Sequence, residues 1–297
     1  MKYFHGEGRS GPYFEGWYFR HQGAEGDFAV IPAFHQKKDG SRMASVQIIT
    51  PEYSRMFYFP GEAFQAWPDR FLVRVGNSCF SAEGIRLDLA DRDFSVTGEL
   101  RYGPFAPLDG DIMGPFRHVP GMQCVHGVLS MGHQVDGLLC VNGRNLLFRS
   151  GMGYVETDRG RSFPKRYLWT QCIWRERQRG SLVLSIAHIP VGPWSFTGCI
   201  CEVRHAGRSW RLATYRGAVV EQWGENGAVI RQGEVRLEVG LVDKRTQPLQ
   251  APAAGEMSRT VHESLCAVVR YRFWDRSRLL FDHTDDRAGY EYADEPV

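Results

Sequence analysis

The residues of this sequence that are best suited to catalysis are carboxylate side chains that lie among aromatic residues. Glu15 lies in the run Gly11–Phe19, and Glu156 and Asp158 lie in the run Gly151–Cys172. A carboxyl group buried among aromatic rings loses hydration, which disfavours its charged form and raises its pKa. Such a group can stay protonated near neutral pH and donate a proton to a substrate.

In the first run, β-strand alternation decides which side chains accompany the carboxylate. Glu15 then shares one face of the strand with Tyr13, Trp17 and Phe19. Two roles are open for Glu15: a desolvated acid, or one half of an ion pair with an arginine at the mouth of a barrel. The chain contains 31 arginines and 5 lysines, and the planar guanidinium group suits partly buried ion pairs.

The second run places Tyr154, Glu156 and Asp158 on one face if the strand continues that far. An alternative is a strand end followed by a solvated charged turn, which the nearby Arg159 and Arg161 favour. Both interpretations fit the residues.

A third set contains residue types that bind metals. Its members are His118, Cys124, His126 and His133. Their spacing is not typical of a structural zinc site, so ordinary hydrogen-bonded histidines are expected and no metal is predicted.

The elements that must position these residues are strands. Aromatic residues make up 13% of the 297 residues, 33 residues are glycine, and the apolar residues alternate with a period close to two. We therefore predict an antiparallel all-β protein without a long amphipathic helix. The predicted strands cover residues 13–20, 28–35, 44–49, 71–75, 85–89, 94–102, 125–131, 138–141, 145–148, 168–174, 182–189, 196–204, 210–215, 218–223, 235–239 and 265–274.

Turn-rich segments suggest how the chain is divided. Asn142-Gly143 is a strong hairpin signal, residues 104–120 resemble a long connection, and residues 160–164 form a second break. Residues 246–258 are predicted to be a surface loop, and the acidic segment 282–297 is predicted to be poorly ordered at its end. The predicted domains are residues 1–165, which carry both runs, and residues 166–297.

Composition argues against several classes of protein. The net charge of +2 does not suggest a nucleic-acid partner. No apolar run is long enough to span a bilayer, and the polar start does not resemble a signal peptide. The seven cysteines are odd in number and lie mostly in apolar stretches, which favours reduced thiols. A cytoplasmic location is expected, and peripheral contact with a membrane stays open.

Several motifs together resemble the tocopherol cyclase-like family. They are the run GPYFEGWYF from Gly11, the pattern GYVExDxGxSFP from Gly153 to Pro164, Trp169-x-Gln171, and the intervening stretch Val125–Met131. Three positions depart from the family pattern. Arg159 and Tyr167 stand where the family has tryptophan, and Ile173 stands where it has asparagine. These departures leave the activity and the substrate open.

The resemblance implies two lipocalin-like antiparallel β-barrel or sheet domains. It also implies an intramolecular lyase or isomerase that needs no cofactor. Such an enzyme protonates an alkene of a prenylated, quinol-like substrate, and a phenol oxygen captures the resulting cation. The expected catalytic residues are Glu156 or Asp158, then Glu15, as the acid, and His126 as the proton acceptor.

Substrate contacts are expected from aromatic and amide side chains. A cation needs the face of an aromatic ring and a dry site. Trp17, Tyr154 or Trp169 would supply the ring face, and Gln171 and Tyr154 would hydrogen-bond to the oxygens of the substrate. Tyr13 is the remaining expected substrate contact. Two further hypotheses use the same residues: a lipocalin-like carrier of a hydrophobic small molecule, and a scaffold whose carboxylates pair with arginines. An unpaired carboxylate in an apolar cavity would distinguish the enzyme from both.

Overall fold

The computed structural model describes residues 2–119, 122–175, 179–191 and 194–295. These residues form 21 β-strands and three 3₁₀ turns, at Gly61–Ala63, Gly114–His118 and Thr214–Arg216, with no α-helix among them. The predicted all-β fold class is therefore confirmed. Within the described part, no helix is long and apolar enough to cross a membrane.

Contacts divide the chain into two compact units, each assembled from three segments. Unit 1 comprises Met1–Asp109, Cys124–Phe163 and Gln250–Arg259. Unit 2 comprises Gly110–Gln123, Pro164–Leu249 and Thr260–Val297.

The first sheet has eleven antiparallel strands. They are β1 (Tyr13–Gly23), β2 (Gly26–Gln36), β3 (Arg42–Ile49), β4 (Ser54–Pro60), β5 (Phe64–Ala66), β6 (Leu72–Val75), β7 (Ser78–Ser81), β8 (Gly84–Ala90), β9 (Ser95–Tyr102), β10 (Cys124–Val141) and β11 (Arg144–Gly160). Their order is β4-β3-β2-β1-β11-β10-β9-β8-β7-β6-β5. The sheet thus places β11 between the N-terminal strand β1 and β10.

The second sheet has ten strands. They are β12 (Arg166–Trp174), β13 (Gly180–Val191), β14 (Trp194–His205), β15 (Arg208–Ala213), β16 (Val219–Gly224), β17 (Gly227–Gln232), β18 (Val235–Asp243), β19 (Gln247–Ala253), β20 (Glu256–Asp275) and β21 (Arg278–Asp294). The order is β15-β14-β13-β12-β21-β20-β18-β17-β16, and β19 pairs with β20 outside this path.

Each unit has its own hydrophobic core. In unit 1 the fully buried rings of Trp17, Phe19, Phe28, Phe80 and Phe148 belong to one cluster. Burial of one such side chain contributes about 1.5–3 kcal/mol to stability. The core of unit 2 is built from side chains on β12 to β15, β17, β18, β20 and β21. Many of the aromatic residues that raise the composition therefore fill sheet cores.

The predicted Asn142-Gly143 hairpin is present between β10 and β11. Asn142 has φ 48° and Gly143 has φ 81°. A two-residue turn with positive φ at both positions matches the twist of the strands it joins. This turn sets the register of β10 and β11 from Val141 opposite Arg144 to Gly137 opposite Phe148, and the register shifts further along the two strands.

Two predicted irregular segments are strands instead. The predicted loop 246–258 contains β19 and the start of β20, and its prolines are tolerated because β19 lies outside the main order of the sheet. The acidic segment from Asp282 continues as β21 to Asp294, between β12 and β20, and Val297 lies outside the described residues. Exposed charged side chains and buried side chains are mixed along β21, so its acidic composition did not indicate a central strand.

Gly255 is the tightest point of the turn that joins β19 to β20. Its φ is 79°, and a Cβ atom there would lie 2.2 Å from the Gln36 carbonyl oxygen and 2.7 Å from the Tyr13 nitrogen. We expect Gly255→Ala to lower the free energy of unfolding by about 2–4 kcal/mol, because a left-handed backbone and a clash with backbone atoms add together. Urea denaturation measures this change.

Gly207→Ala is the matched control for that substitution. Gly207 has φ 77°, but no atom lies within 4 Å of a Cβ placed there. Its substitution should cost only the backbone term of about 1–2 kcal/mol. Equal losses for the two variants would contradict the steric argument.

Candidate active site

The two carboxylate-bearing runs lie on adjacent strands of the first sheet. β1 and β11 pair antiparallel, with Trp17 opposite Thr157 and Tyr18 opposite Glu156. Directly opposed residues on antiparallel strands point to the same face. Because Trp17 belongs to the core of unit 1, its face is called the inner face, and Glu156 points to the opposite, outer face.

Five side chains from β10 and β11 meet on the outer face, and we call them the outer-face cluster: Cys124, His126, Tyr154, Glu156 and Asp158. His126 Nδ1 lies 3.0 Å from Asp158 Oδ1, and His126 Nε2 lies 3.6 Å from Glu156 Oε2. The Tyr154 hydroxyl donates to Glu156 Oε2 at 2.6 Å, and the Cys124 thiol donates to Asp158 Oδ1 at 3.3 Å. A single imidazole thus connects two carboxylates, each of which accepts a further hydrogen bond.

The local sequence explains this convergence. Tyr154, Glu156 and Asp158 alternate along β11, and Cys124 and His126 alternate along β10. His126 is the direct partner of Asp158 in the ladder. The predicted shared face of Tyr154, Glu156 and Asp158 is therefore the geometry that the structure has, and the strand continues through Gly160 rather than ending in a turn.

Burial fixes the protonation of the two donors in the cluster. Desolvation, together with the Glu156 carboxylate, raises the pKa of the Tyr154 phenol well above its ordinary value of 10.0. Desolvation and the neighbouring Asp158 likewise raise the pKa of the Cys124 thiol well above 9.0. Both groups therefore keep their protons at neutral pH and act as permanent hydrogen-bond donors. Proton exchange in the cluster is left to His126 and the two carboxyl groups.

The same three residues have ligand types that bind cations. One atom each of His126, Glu156 and Asp158 lie within 4.8 Å of one another. Imidazole and carboxylate groups at this spacing could hold a divalent metal ion. The hydrogen bond at 3.0 Å to Asp158 and the ion-pair contact at 3.6 Å to Glu156 equally fit a histidine that acts as an acid–base group between two carboxylates. Because a metal ion and a transferred proton would occupy the same lone pairs on these atoms, the two uses exclude each other.

Glu15 lies on the inner face and is not brought to the outer-face cluster. Its Oε2 atom accepts hydrogen bonds from the Tyr13 hydroxyl and from the His5 backbone N–H, both at 2.8 Å. Its Oε1 atom lies 2.8 Å from His5 Nδ1. The ion-pair alternative had an arginine as the partner, whereas the structure provides a histidine from the segment before β1. Nothing between residues 1 and 12 identified His5 in advance, because its partner is ten residues away.

The residues assigned to substrate binding are distributed over both units. Tyr13 and Trp17 are part of the core of unit 1, and Tyr154 belongs to the outer-face cluster. Trp169 and Gln171 are buried on β12 in unit 2. They alternate with the core residues Leu168 and Cys172, so they point away from the core of their own sheet.

Glu291 on β21 is a carboxylate that the sequence analysis missed. It lies opposite Trp169 in the ladder, and the Tyr167 hydroxyl hydrogen-bonds to its carboxylate. Tyr167 is one of the positions that depart from the family pattern, and its hydroxyl is an atom that tryptophan would not supply. The signal for Glu291 was its position between Tyr290 and Tyr292 in an alternating segment that had been assigned to the tail.

The four histidine and cysteine residues considered as metal ligands do not form one group. His118 lies in the 3₁₀ turn of unit 2, and His133 lies in unit 1, 3.0 Å from Ser130 Oγ and packed against the ring of Tyr102. Cys124 and His126 instead complete the outer-face cluster. Cys124 and His126 join this cluster because β10 pairs with β11, and the spacing of the two residues along the chain did not indicate that pairing.

Solved structures with the same fold are lipocalin-like proteins built mainly from β-strands. A protein assigned as AttH from Nitrosomonas europaea is 12% identical, with a TM-score of 0.52 and coverage of 94% of this chain and 91% of that chain. Kievitone hydratase from Nectria haematococca is 11% identical, with a TM-score of 0.51 and coverage of 96% and 90%. CghA, solved with Sch210972, is 9% identical, with a TM-score of 0.61 and the same coverage. The fold is therefore that of the lipocalin-like class.

The family can be stated more narrowly. The model of the tocopherol cyclase-like family matches residues 117–293, which is more than half of the chain. The chain belongs to the tocopherol cyclase-like family, as its motifs predicted. The match includes the outer-face cluster and β12. No curated protein matches the chain in sequence.

Proposed function

We propose that this protein catalyses a cofactor-independent cyclisation or hydration, in which it protonates an alkene of a hydrophobic substrate. The observation that carries the proposal is the position of His126, whose two ring nitrogens lie next to Asp158 and Glu156. Membership of the tocopherol cyclase-like family and structural likeness to a hydratase support the reaction class. The substrate that fits this chemistry is a prenylated, quinol-like molecule.

The first step is the transfer of a proton from a carboxylic acid to a carbon atom of the alkene. Glu156, in its protonated form, donates its carboxyl proton to the less substituted alkene carbon, and a tertiary cation forms at the other carbon. The protonated Tyr154 hydroxyl stabilises the carboxylate that remains, because it continues to donate to Oε2. The Tyr154 hydroxyl and the Cys124 thiol keep their protons when Glu156 loses its proton, so both continue to donate the same hydrogen bonds throughout the reaction.

The second step closes the ring and returns the proton. The substrate's phenol oxygen bonds to the cation, or a water oxygen does so in a hydration, and its O–H proton passes to His126. Asp158 stabilises the imidazolium that forms, as a carboxylate on the far nitrogen does in other acid–base pairs. The imidazolium then returns the proton to Glu156, so atoms and charge balance and the catalyst is regenerated.

The proposal assigns different roles to the remaining residues. Tyr154 contacts the substrate, in keeping with its place in the outer-face cluster on β11. Trp169 and Gln171 lie on β12 in unit 2, and their contact with the substrate stays a prediction. Tyr13 and Trp17 serve the core of unit 1. We do not assign the role of the acid to Glu15, because its carboxylate is contacted by His5 and Tyr13 on the inner face, away from His126.

The test is product formation in heavy water. The purified protein is incubated with a prenylated hydroquinone in D₂O, and the product is analysed by mass spectrometry. Protonation at carbon predicts a chroman or an alcohol that carries one deuterium bound to carbon, and heat-denatured protein controls for the uncatalysed reaction. Binding of the hydroquinone without formation of any product would overturn the proposed enzymatic activity and would support a non-catalytic carrier. Product without deuterium at carbon would contradict alkene protonation.

A further inference from the structure

The proposed reaction leaves the first aromatic run without a role, although its carboxylate is almost completely buried. Glu15 is 1% exposed on the inner face of unit 1. Two of its three polar contacts come from one residue, His5, through the backbone N–H and through ring Nδ1. The third comes from Tyr13 on the same strand. The carboxylate is thus held chiefly by a segment that lies outside the sheet.

That segment, residues 2–10, forms no strand, and we call it the N-terminal strap. Its Phe4 ring packs against the rings of Trp17, Phe34 and Phe64, at centroid distances of 6.4, 5.7 and 5.4 Å. These three rings belong to β1, β2 and β5 of the first sheet. Together with the Glu15 carboxylate they form a chamber, which the side chains of Phe4 and His5 occupy.

The strap is attached to the remainder of unit 1 by isolated contacts rather than by a ladder. The Tyr3 N–H donates to the Pro68 carbonyl at 2.9 Å, and the Tyr3 ring stacks on Phe71. Gln36 Nε2 donates to the carbonyl of Arg9 at 3.0 Å. The His5 side chain is 24% exposed even though its partner is buried. Departure of residues 3–6 would therefore break separate contacts and would leave every described strand pair of the sheet intact.

We propose that the chamber is a second binding site, for an organic ammonium ion that carries an aromatic group. Its aromatic group would take the place of the Phe4 ring, and its N–H groups would take the place of those of His5 at Glu15. Aromatic ring faces and a carboxylate are the groups that recognise organic cations. Phe4 and His5 present the same combination, an aromatic ring beside an N–H donor, so the strap acts as a built-in competitor.

The chamber differs from the reaction site in its residues and in the face of the sheet on which it lies. Glu15, Trp17, Phe34 and Phe64 lie on the inner side of the sheet, whereas the outer-face cluster lies on the other side of β11. No residue is shared, so failure of either proposal leaves the other untouched.

Binding of 2-phenylethylammonium, measured by titration calorimetry, tests the site. Its neutral counterpart is 2-phenylethanol. We expect the Phe4→Ala/His5→Ala variant to bind the ammonium at least tenfold more tightly than the wild type does, because the competitor is removed. Adding Glu15→Gln should weaken ammonium binding at least tenfold and leave binding of the alcohol within twofold. In the wild type, saturation with the ammonium should speed hydrogen exchange of the amides of residues 3–6.

Phe105→Ala is the control for the effect of removing an aromatic ring at another position of unit 1. Phe105 packs against Phe71 and Tyr102 in the same unit. Its loss should admit the alcohol as readily as the ammonium. The proposal is overturned if the double variant binds both probes equally, if Glu15→Gln leaves ammonium affinity unchanged, or if the wild-type strap exchanges no faster with ligand. Phe4→Leu/His5→Gln, which retains more volume, replaces the alanine pair if circular dichroism shows that pair to be unfolded.

Discussion

Glu156→Gln is expected to lower kcat for product formation by about 10²- to 10⁴-fold, the usual contribution of a positioned general acid. Glutamine keeps the size of the side chain and can still accept the hydrogen bond from Tyr154, but it has no proton to donate to carbon. KM should change little, because the substitution removes an interaction that matters in the transition state. Steady-state kinetics with the prenylated hydroquinone measures both constants.

Glu15→Gln is the matched control for this variant. It is the same chemical change, in the strand that pairs with β11, at a position equally buried but directed to the inner face. We expect it to retain kcat within a few fold. If Glu156→Gln kept more than a tenth of the wild-type kcat, or if Glu15→Gln lost as much as Glu156→Gln, the assignment of the acid would be wrong.

Acid is expected to destabilise unit 1 more steeply than its carboxylates would suggest. Burial lowers the pKa of His21 and of His133 to about 3, with the proximity of His133 adding to the effect at His21, and burial lowers the pKa of His35 to about 4. In the unfolded chain each imidazole takes up a proton near pH 6.5. Above that pH all three are neutral in both states and add no pH dependence.

Below pH 6.5 the unfolded state binds protons that the folded state refuses, so the free energy of unfolding falls as the pH decreases. Each histidine contributes a slope of about 1.4 kcal/mol per pH unit, and the three together about 4 kcal/mol per unit, between roughly pH 6 and pH 4. The loss ends where the folded imidazoles themselves become protonated, near pH 3–4. A drop of several kcal/mol across this window is a large part of the stability of a typical domain.

Hydrogen exchange of β1 and β2 amides at several pH values measures this loss for unit 1 alone. His133→Gln should reduce the slope by about one proton, or 1.4 kcal/mol per pH unit. His262 is exposed, and His262→Gln should leave the slope unchanged. A slope that is the same in His133→Gln and in the wild type would contradict the interpretation.

Alternation was the part of the fold that the sequence could predict best. It gave the strand that bears Glu15 and, on the condition that a strand reached that far, the shared face of Tyr154, Glu156 and Asp158, because strand geometry depends only on neighbouring residues. It did not give the full length of β11, of which only residues 145–148 were predicted. It failed for the short strands β5 and β7, since three or four residues are too few to show a period. It also failed for β21, because the many acidic residues of this segment led to the prediction of a poorly ordered end, although Tyr290 within it is buried.

The candidate site required information that no single strand contains. His126 meets Asp158 because the register of β10 and β11 shifts at several points between Asn142-Gly143 and His126, and the spacing between residues 126 and 158 does not reveal these shifts. Likewise, the face of β1 that points to the core depends on which neighbours β1 acquires. The sequence could therefore nominate both as acids, with Glu156 or Asp158 ahead of Glu15, and the pairing of β1 with β11 places Glu15 and Glu156 on opposite faces of the sheet.

The two-sided arrangement of β11 restricts how this segment can change in length. Substitutions act on one face at a time, but inserting or deleting a single residue between Gly151 and Gly160 would exchange the faces for every residue beyond it. After an insertion before Val155, for example, Glu156 would enter the aromatic core, and Val155 would take its place beside His126. Relatives that retain the reaction should therefore align with this stretch without gaps, even where few of its residues are identical.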